Sequence, residues 1–239
     1  MTDGGGVLVT RPEPEALRTA ERLAALGYRA IVVPLMTAEA IADRRPLTGF
    51  AAVAVTSART IGFLTSAERH SLAGRPAFAV GSRTAEALRA AGLRHVRSSE
   101  GDVAALAALI AGSGLPAGAG ILHVGGEERA GDLAAPLIDA GLIVEVSSVY
   151  RMVPRATMPS AARDALITSA AGAVLHYSPR SARLFCDLAS QAGLQAAAAK
   201  VRHICLSEQV AEPLRHAFGA TLAVARRPDE QSLLEALRH

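Results

Sequence analysis

The chain has 239 residues, half of them hydrophobic and 3% aromatic, with no Trp and a net charge of +3. That suits one large or two small domains cored by Ala, Leu, Val and Ile. It does not suit a nucleic-acid surface, because the arginines are scattered and lack interleaved aromatics.

Short apolar runs alternate with helical patterns. Val7 to Thr10 reads as a strand, Glu15 to Leu26 as a helix stopped by Gly27, and Arg29 to Leu35 as a second strand. Ala51 to Val55 is a buried-type strand ending at Thr56-Ser57, and Ala77 to Val80 is another ending at Gly81-Ser82. A helix over Thr84 to Ala91, a short strand at His95 to Arg97 and a helix through Val103, Leu106 and Ile110 follow. Gly120 to Val124 is a strand, Leu133, Leu137 and Ile138 mark a helix, and Ile143 to Val149 is a strand running into Tyr150.

Arg151 to Pro159, with two prolines, reads as a linker or long surface loop. Alternation then resumes, with strands at Ala173 to His176, Arg202 to Leu206 and Leu222 to Ala225. Helices are expected at Ser181 to Ala192, Gln209 to Ala217 and Glu230 to Arg238. The fold class expected is α/β, with parallel sheets flanked by helices.

The polar Met1 to Gly6 stretch has no signal-peptide pattern, and no apolar run approaches the ~20 residues of a membrane span. Cys186 and Cys205 make no disulfide framework and fit a reducing cytoplasm.

The chain repeats itself. Val7–Met36 overlays Ile121–Tyr150 without gaps. Leu8/Leu122, Glu13/Glu127, Ala16/Ala130, Ala20/Ala134, Leu23/Leu137, Gly27/Gly141 and Val32/Val146 coincide. Val80–Leu88 overlays Leu206–Leu214, and Thr56-Ser57 corresponds to Tyr177-Ser178. Two related α/β lobes are the simplest account, with the working site expected in the cleft between them.

In open parallel sheets ligands gather at the carboxyl ends of strands, where helix N-termini favour anions. The loops there carry small hydroxyl residues and glycines: Thr10-Arg11, Thr56-Ser57, Gly81-Ser82-Arg83-Thr84, Gly125-Gly126, Tyr177-Ser178 and Ser207-Glu208. As a set they suit a polycarboxylate ligand, although each serine or threonine alone also reads as an ordinary helix cap. Phosphate-loop, dinucleotide and nucleophile-elbow motifs are missing, and the His residues lack metal-ligand spacing. His123 and His176 read as buried strand residues. Tyr150 follows an apolar strand, where a phenol can donate to a departing group or simply pack.

The chain resembles the uroporphyrinogen-III synthase family along nearly its full length. The matching segments are Val7-Leu-Val-Thr-Arg-Pro12, Val55-Thr-Ser57, Ala79-Val-Gly-Ser-Arg-Thr-Ala85, Leu122-His-Val-Gly-Gly126, Val149-Tyr150 and Tyr177-Ser-Pro179. The resemblance implies two lobes joined by a two-stranded hinge. Residues 1–35 and 154–239 would form one lobe, and residues 36–153 the other.

It also implies the reaction. Hydroxymethylbilane, a linear tetrapyrrole with eight carboxylates, loses water, inverts ring D and closes into the type III macrocycle without metal or cofactor. Tyr150 would assist loss of the hydroxyl. Arg11, Thr56, Ser57, Ser82, Thr84, Gly125, Gly126, Tyr177, Ser178 and Ser207 would bind substrate. A cytoplasmic monomer, with no nucleic-acid or membrane partner, is expected. In the Ser207–Ala211 loop the family's usual Gly and Thr are both replaced. The rival readings are a non-catalytic two-lobed tetrapyrrole or anion binder and a nucleotide-binding α/β module.

Overall fold

The computed structural model describes residues 5–44, 46–129, 131–219 and 221–238. Residues 1–4, Ala130 of the repeat alignment and His239 of the histidine survey lie outside them. The chain forms two compact units, Met1–Thr37 with Val153–His239, and Ala38–Met152.

In chain order the first unit begins with β1 (Gly6–Val9), α1 (Glu15–Ala25) and β2 (Ala30–Val32). Next come β3 (Met36–Ala40), β4 (Ala52–Val55), a 3-10 turn at Ala58–Phe63, α2 (Ser66–Leu72), β5 (Pro76–Val80), α3 (Gly81–Ala90) and β6 (His95–Ser99). These are followed by α4 (Val103–Ala111), β7 (Gly120–Gly126), α5 (Ala134–Asp139) and β8 (Ile143–Pro154). The first unit resumes with α6 (Ser160–Ile167), β9 (Ala171–His176), α7 (Pro179–Gln191), α8 (Gln195–Ala198), β10 (Arg202–Cys205), α9 (Glu208–Phe218), β11 (Leu222–Val224) and α10 (Glu230–Glu235).

Among the described residues, the first unit holds a sheet in the order β11-β10-β9-β1-β2, and the second a sheet in the order β3-β8-β7-β4-β5-β6. The pairings of β11, β10, β9, β1 and β2 are parallel, as are those of β8, β7, β4, β5 and β6. Superposing the repeat makes the two orders one: β1-α1-β2 corresponds to β7-α5-β8, and β9 through β11 to β4 through β6. The internal repeat is therefore a repeat of sheet topology.

Burial explains the near-continuous apolar strands. β1 and β4 are buried throughout, because helices cover both faces of a parallel sheet. Period-2 alternation divides each core. In the first unit Leu8, Val174 and Cys205 face one layer with Phe185, Ala189 and Leu214, whereas Val7, Val9, Leu175 and Ile204 face Leu23, Leu233 and Leu237. In the second, Val53, Val55 and Val124 pack with Leu72 and Leu88, whereas Ala52, Ala54 and Ile121 pack with Leu106, Ile110 and Leu137.

Three sequence expectations change. Arg151–Pro154 is not loop but the end of β8, whose twelve residues continue past Tyr150. α3 begins at Gly81 rather than Thr84, because Gly81 takes φ 74° and turns the chain straight from strand to helix. The 3-10 turn, α2, α6 and β3 are additional elements. α2 is set by a local capping box, with Thr65 Oγ1 accepting from Glu68 N while Glu68 accepts from Thr65 N. The chain passes between units at Thr37/Ala38 in β3 and at Met152/Val153 in β8, and these two strands are sheet neighbours. Among the described residues no helix is long and apolar enough to cross a membrane.

Candidate functional site

Each sheet reverses its winding direction once, between β1 and β9 in the first unit and between β4 and β7 in the second. Beyond the carboxyl ends of such strands the flanking loops diverge and leave a crevice. In the second unit that crevice is a cavity of about 690 Å³ lined by Thr56, Ser57, Val80, Asp102, Gly126, Glu128, Arg129, Asp132 and Tyr150, among others.

Tyr150 is 7% exposed and stacks on Phe63, with ring centroids 5.0 Å apart. Its hydroxyl makes no hydrogen bond to another described residue. A register shift at Gly125/Gly126 pairs Gly126 with Tyr150, and Glu127 N donates to Tyr150 O at 2.8 Å. Arg129 Nη1 donates to Gly126 O and to Ser148 Oγ, both at 3.2 Å. Thr56 Oγ1 lies 3.3 Å from His123 Nε2. Burial first, and the Arg129 charge second, push the His123 imidazole down to about 4, so it is neutral at pH 7.

Thr56, Ser57, Gly126 and Tyr150 thus converge on one cavity. Ser82 is exposed at the start of α3, Thr84 is buried on the inner face of that helix, and Gly125 is buried; none of the three lines the cavity. Ser57 Oγ accepts from Arg59 N at 3.3 Å, and Ser178 Oγ from Ser181 N at 3.2 Å, so both hydroxyls act as caps. Ser207 occupies the cap position of α9 without a side-chain cap bond.

The helix ends differ in a way that composition does not show. Asp102 Oδ1 accepts from Ala104 N and Ala105 N, and Asp132 Oδ1 from Ala134 N and Ala135 N, so α4 and α5 carry their own carboxylates. α3 and α9 have no side-chain cap bond and keep open first-turn N–H groups. These are the two helices that the Val80–Leu88 and Leu206–Leu214 overlay pairs.

At the switch point of the first unit, Arg11 and Tyr177 already have partners. Arg11 Nη1 donates to Glu230 Oε1 at 3.1 Å, and its guanidinium lies 4.0 Å over the Tyr177 ring. Tyr177 OH donates to the same oxygen at 3.1 Å. Burial pushes the phenol up to about 12.

His176 and His203 are buried. His203 Nε2 donates to Ala198 O at 2.9 Å, which leaves its Nδ1 to accept from His176 Nε2 at 2.9 Å. Desolvation lowers His176 and takes His203 down to about 4. Both are core groups, as the strand pattern around His176 implied.

Sequence reasoning missed Asp102, Arg129 and Glu230. Asp102 had a local signal, an aspartate directly before an apolar helix. Arg129 and Glu230 had none, because strand pairing and helix docking bring them to their partners.

The sequence matches the family model described as uroporphyrinogen-III synthase HemD over residues 18–235. The fold is similar to that of uroporphyrinogen-III synthetase from Helicobacter pylori, at 14% identity over 98% of each chain with a TM-score of 0.61. It is also similar to a mutant uroporphyrinogen III synthase from the extremely thermophilic bacterium Thermus thermophilus, at 19% identity over 98% of this chain and 97% of that one, with a TM-score of 0.50. No curated protein matches the sequence. At these identities the two structures speak for the fold, and the family model speaks for descent: the chain belongs to the uroporphyrinogen-III synthase family.

Proposed function

We propose that the protein converts hydroxymethylbilane to uroporphyrinogen III, expelling the substrate hydroxyl as water, inverting ring D and closing the macrocycle. The observation that carries the assignment of the site is the position of Tyr150, a phenol without a described partner, on a switch-point cavity beside the Thr56–Ser57 loop. The pyrrole nitrogen lone pairs supply the electron push, so no metal or cofactor enters the scheme. Tyr150 donates to the departing hydroxyl. The substituted carbon of ring D, which carries the methylene bridge to ring C, then attacks the methylene that has lost its hydroxyl, giving a spiro intermediate that breaks at that bridge and recloses at the other side of ring D with loss of a proton. Most of the enzyme's work is to hold one folded conformation of a flexible chain.

The cavity is lined by Asp102, Glu128 and Asp132 against the single guanidinium of Arg129. That polarity suits the N–H side of the pyrrole chain at its reacting end. The substrate carboxylates fit better at the open first turns of α3, with Ser82, and of α9, with Ser207. Thr56, Ser57, Gly125 and Gly126 bring hydroxyl or backbone groups close to the reacting end. Thr84 and Ser178 shape the loops that hold the rest, and Arg11 and Tyr177 stand at the switch point of the first unit, where a further substrate carboxylate binds. The working form is a monomer in the cytoplasm, a compartment that suits the free thiols Cys186 and Cys205.

The test is to supply fresh hydroxymethylbilane and separate the oxidised porphyrin isomers. Type III should dominate; type I alone, the spontaneous product, overturns the reading.

A further inference from the structure

Four donors meet on one carboxylate in the first unit. Glu230 Oε1 accepts from Arg11 Nη1 at 3.1 Å, from Tyr177 OH at 3.1 Å and from Thr19 Oγ1, while Oε2 accepts from Arg22 Nη1 at 2.8 Å. An ordinary surface ion pair joins one cation to one anion and contributes little. Two guanidinium groups and two hydroxyls around a carboxylate make instead the arrangement expected of a carboxylate-recognition site.

Its position fits a ligand site. Arg11 follows β1 and Tyr177 follows β9, so the cluster sits at the winding reversal of its sheet, where ligands of open parallel sheets bind. The topologically equivalent place in the second unit, beyond β7 and β4, is the open cavity. One copy of the duplicated crevice holds an open cavity, and the other holds the side chain of Glu230.

Glu230 is not needed to dock α10. Asp229 caps that helix through Ser232 N at 2.8 Å, and Leu233 and Leu234 bury it against the sheet, with Leu237 of the following turn beside them. The Glu230 side chain keeps 20% exposure, so solvent and ligands reach it.

We propose that Arg11, Thr19, Arg22 and Tyr177 form a carboxylate receptor that Glu230 fills in the free protein and a substrate carboxylate takes over on binding. The receptor rests on the geometry of the first unit. The identity of its ligand rests on the synthase reading.

Glu230→Ala and Glu230→Gln are melted with increasing sodium propionate, against sodium chloride at equal ionic strength. The Ala variant should melt several degrees below wild type and recover with propionate but not with chloride. Wild type and the Gln variant, whose sites stay filled, should not respond. An Ala variant indifferent to propionate overturns the receptor; if it does not fold, Glu230→Ser takes its place under the same criterion.

The second readout is the KM for hydroxymethylbilane. It should fall about threefold or more in the Ala variant with kcat retained, because the internal competitor is gone. An unchanged KM beside propionate rescue overturns the use of the receptor by substrate. A propionate response in a protein that makes only type I porphyrin leaves the receptor standing and sinks the synthase reading instead.

Discussion

The ring of Tyr150 lies directly on the backbone of Gly126. A Cβ on Gly126 would stand 2.8 Å from Tyr150 Cζ and 3.0 Å from its hydroxyl oxygen. Phe63 stacks on the same ring at 5.0 Å, so the phenol packs against both an aromatic face and a bare peptide. The glycine pair that ends β7 thus has a steric reason at Gly126, and the reason concerns the residue proposed for the chemistry.

Gly126→Ala should therefore displace the phenol. We expect a loss of about 1–3 kcal/mol from overpacking and a fall in kcat of about tenfold or more from misplacement. Thermal unfolding and steady-state kinetics check the two parts separately. Wild-type kcat in a destabilised Gly126→Ala protein would remove Tyr150 from the reaction.

Tyr150→Phe keeps the ring and its stacking on Phe63 and deletes only the hydroxyl. Type III formation should slow about ten- to a hundredfold, at the low end of general-acid effects because the substrate is already reactive. The melting temperature should stay near wild type. Isomer separation of the oxidised porphyrins reads the result, and unchanged turnover reduces Tyr150 to packing.

Arg44 braces the same site from behind. It forms a two-point pair with Glu68, at 2.9 and 2.7 Å, and donates to Phe63 O at 2.9 Å and Val149 O at 3.3 Å. The hydrogen bonds from Arg44 hold the Glu68 carboxyl below its usual range. Arg44→Ala should cost about 1–3 kcal/mol, since Glu68, a partly exposed carboxylate that still accepts from Thr65, loses its two charge-assisted bonds, and should lower kcat with the loosened Phe63–Tyr150 stack. Urea unfolding of the single variants and of Arg44→Ala/Glu68→Ala gives the coupling, and additive losses would show that the pair does not act as a unit.

His123 and His203 should make stability acid-sensitive in a defined window. Their folded values near 4 lie below the unfolded value of about 6.5. Above pH 6.5 neither state binds the proton and the histidines have no effect. Between pH 6.5 and 4 the unfolded chain takes up protons that the folded chain refuses, so stability falls by up to about 3 kcal/mol for each histidine. Urea midpoints from pH 7 to 4.5 measure the slope, and NMR should show the imidazole of His123 still neutral at pH 5.5. Titration near 6.5 would contradict its burial.

Strands whose residues point into two packed layers were readable from composition alone. Val7–Val9, Ala51–Val55 and Ala173–Leu175 are continuous apolar runs because both faces of each sheet are covered. The repeat was readable for the same reason, since Leu23/Leu137 and Gly27/Gly141 fill matching places in matching topologies. Less legible was whether a strand-end residue is open to a ligand. Ser57, Ser178 and Ser207 look alike in sequence, yet two act as caps and Ser207 does not.

The sequence by itself therefore determined the alternation, the duplication, the glycine stops and the set of loops from which a site must be drawn. Each of these is a local or periodic property of the chain. Only the tertiary structure decided that Tyr150 faces a cavity, that Gly126 must be bare, and that Arg11 and Tyr177 already hold Glu230. The reason is separation along the chain. Arg11 and Glu230 are 219 residues apart and Thr56 and His123 are 67 apart, and parallel strand order, which no local pattern encodes, brings each pair together.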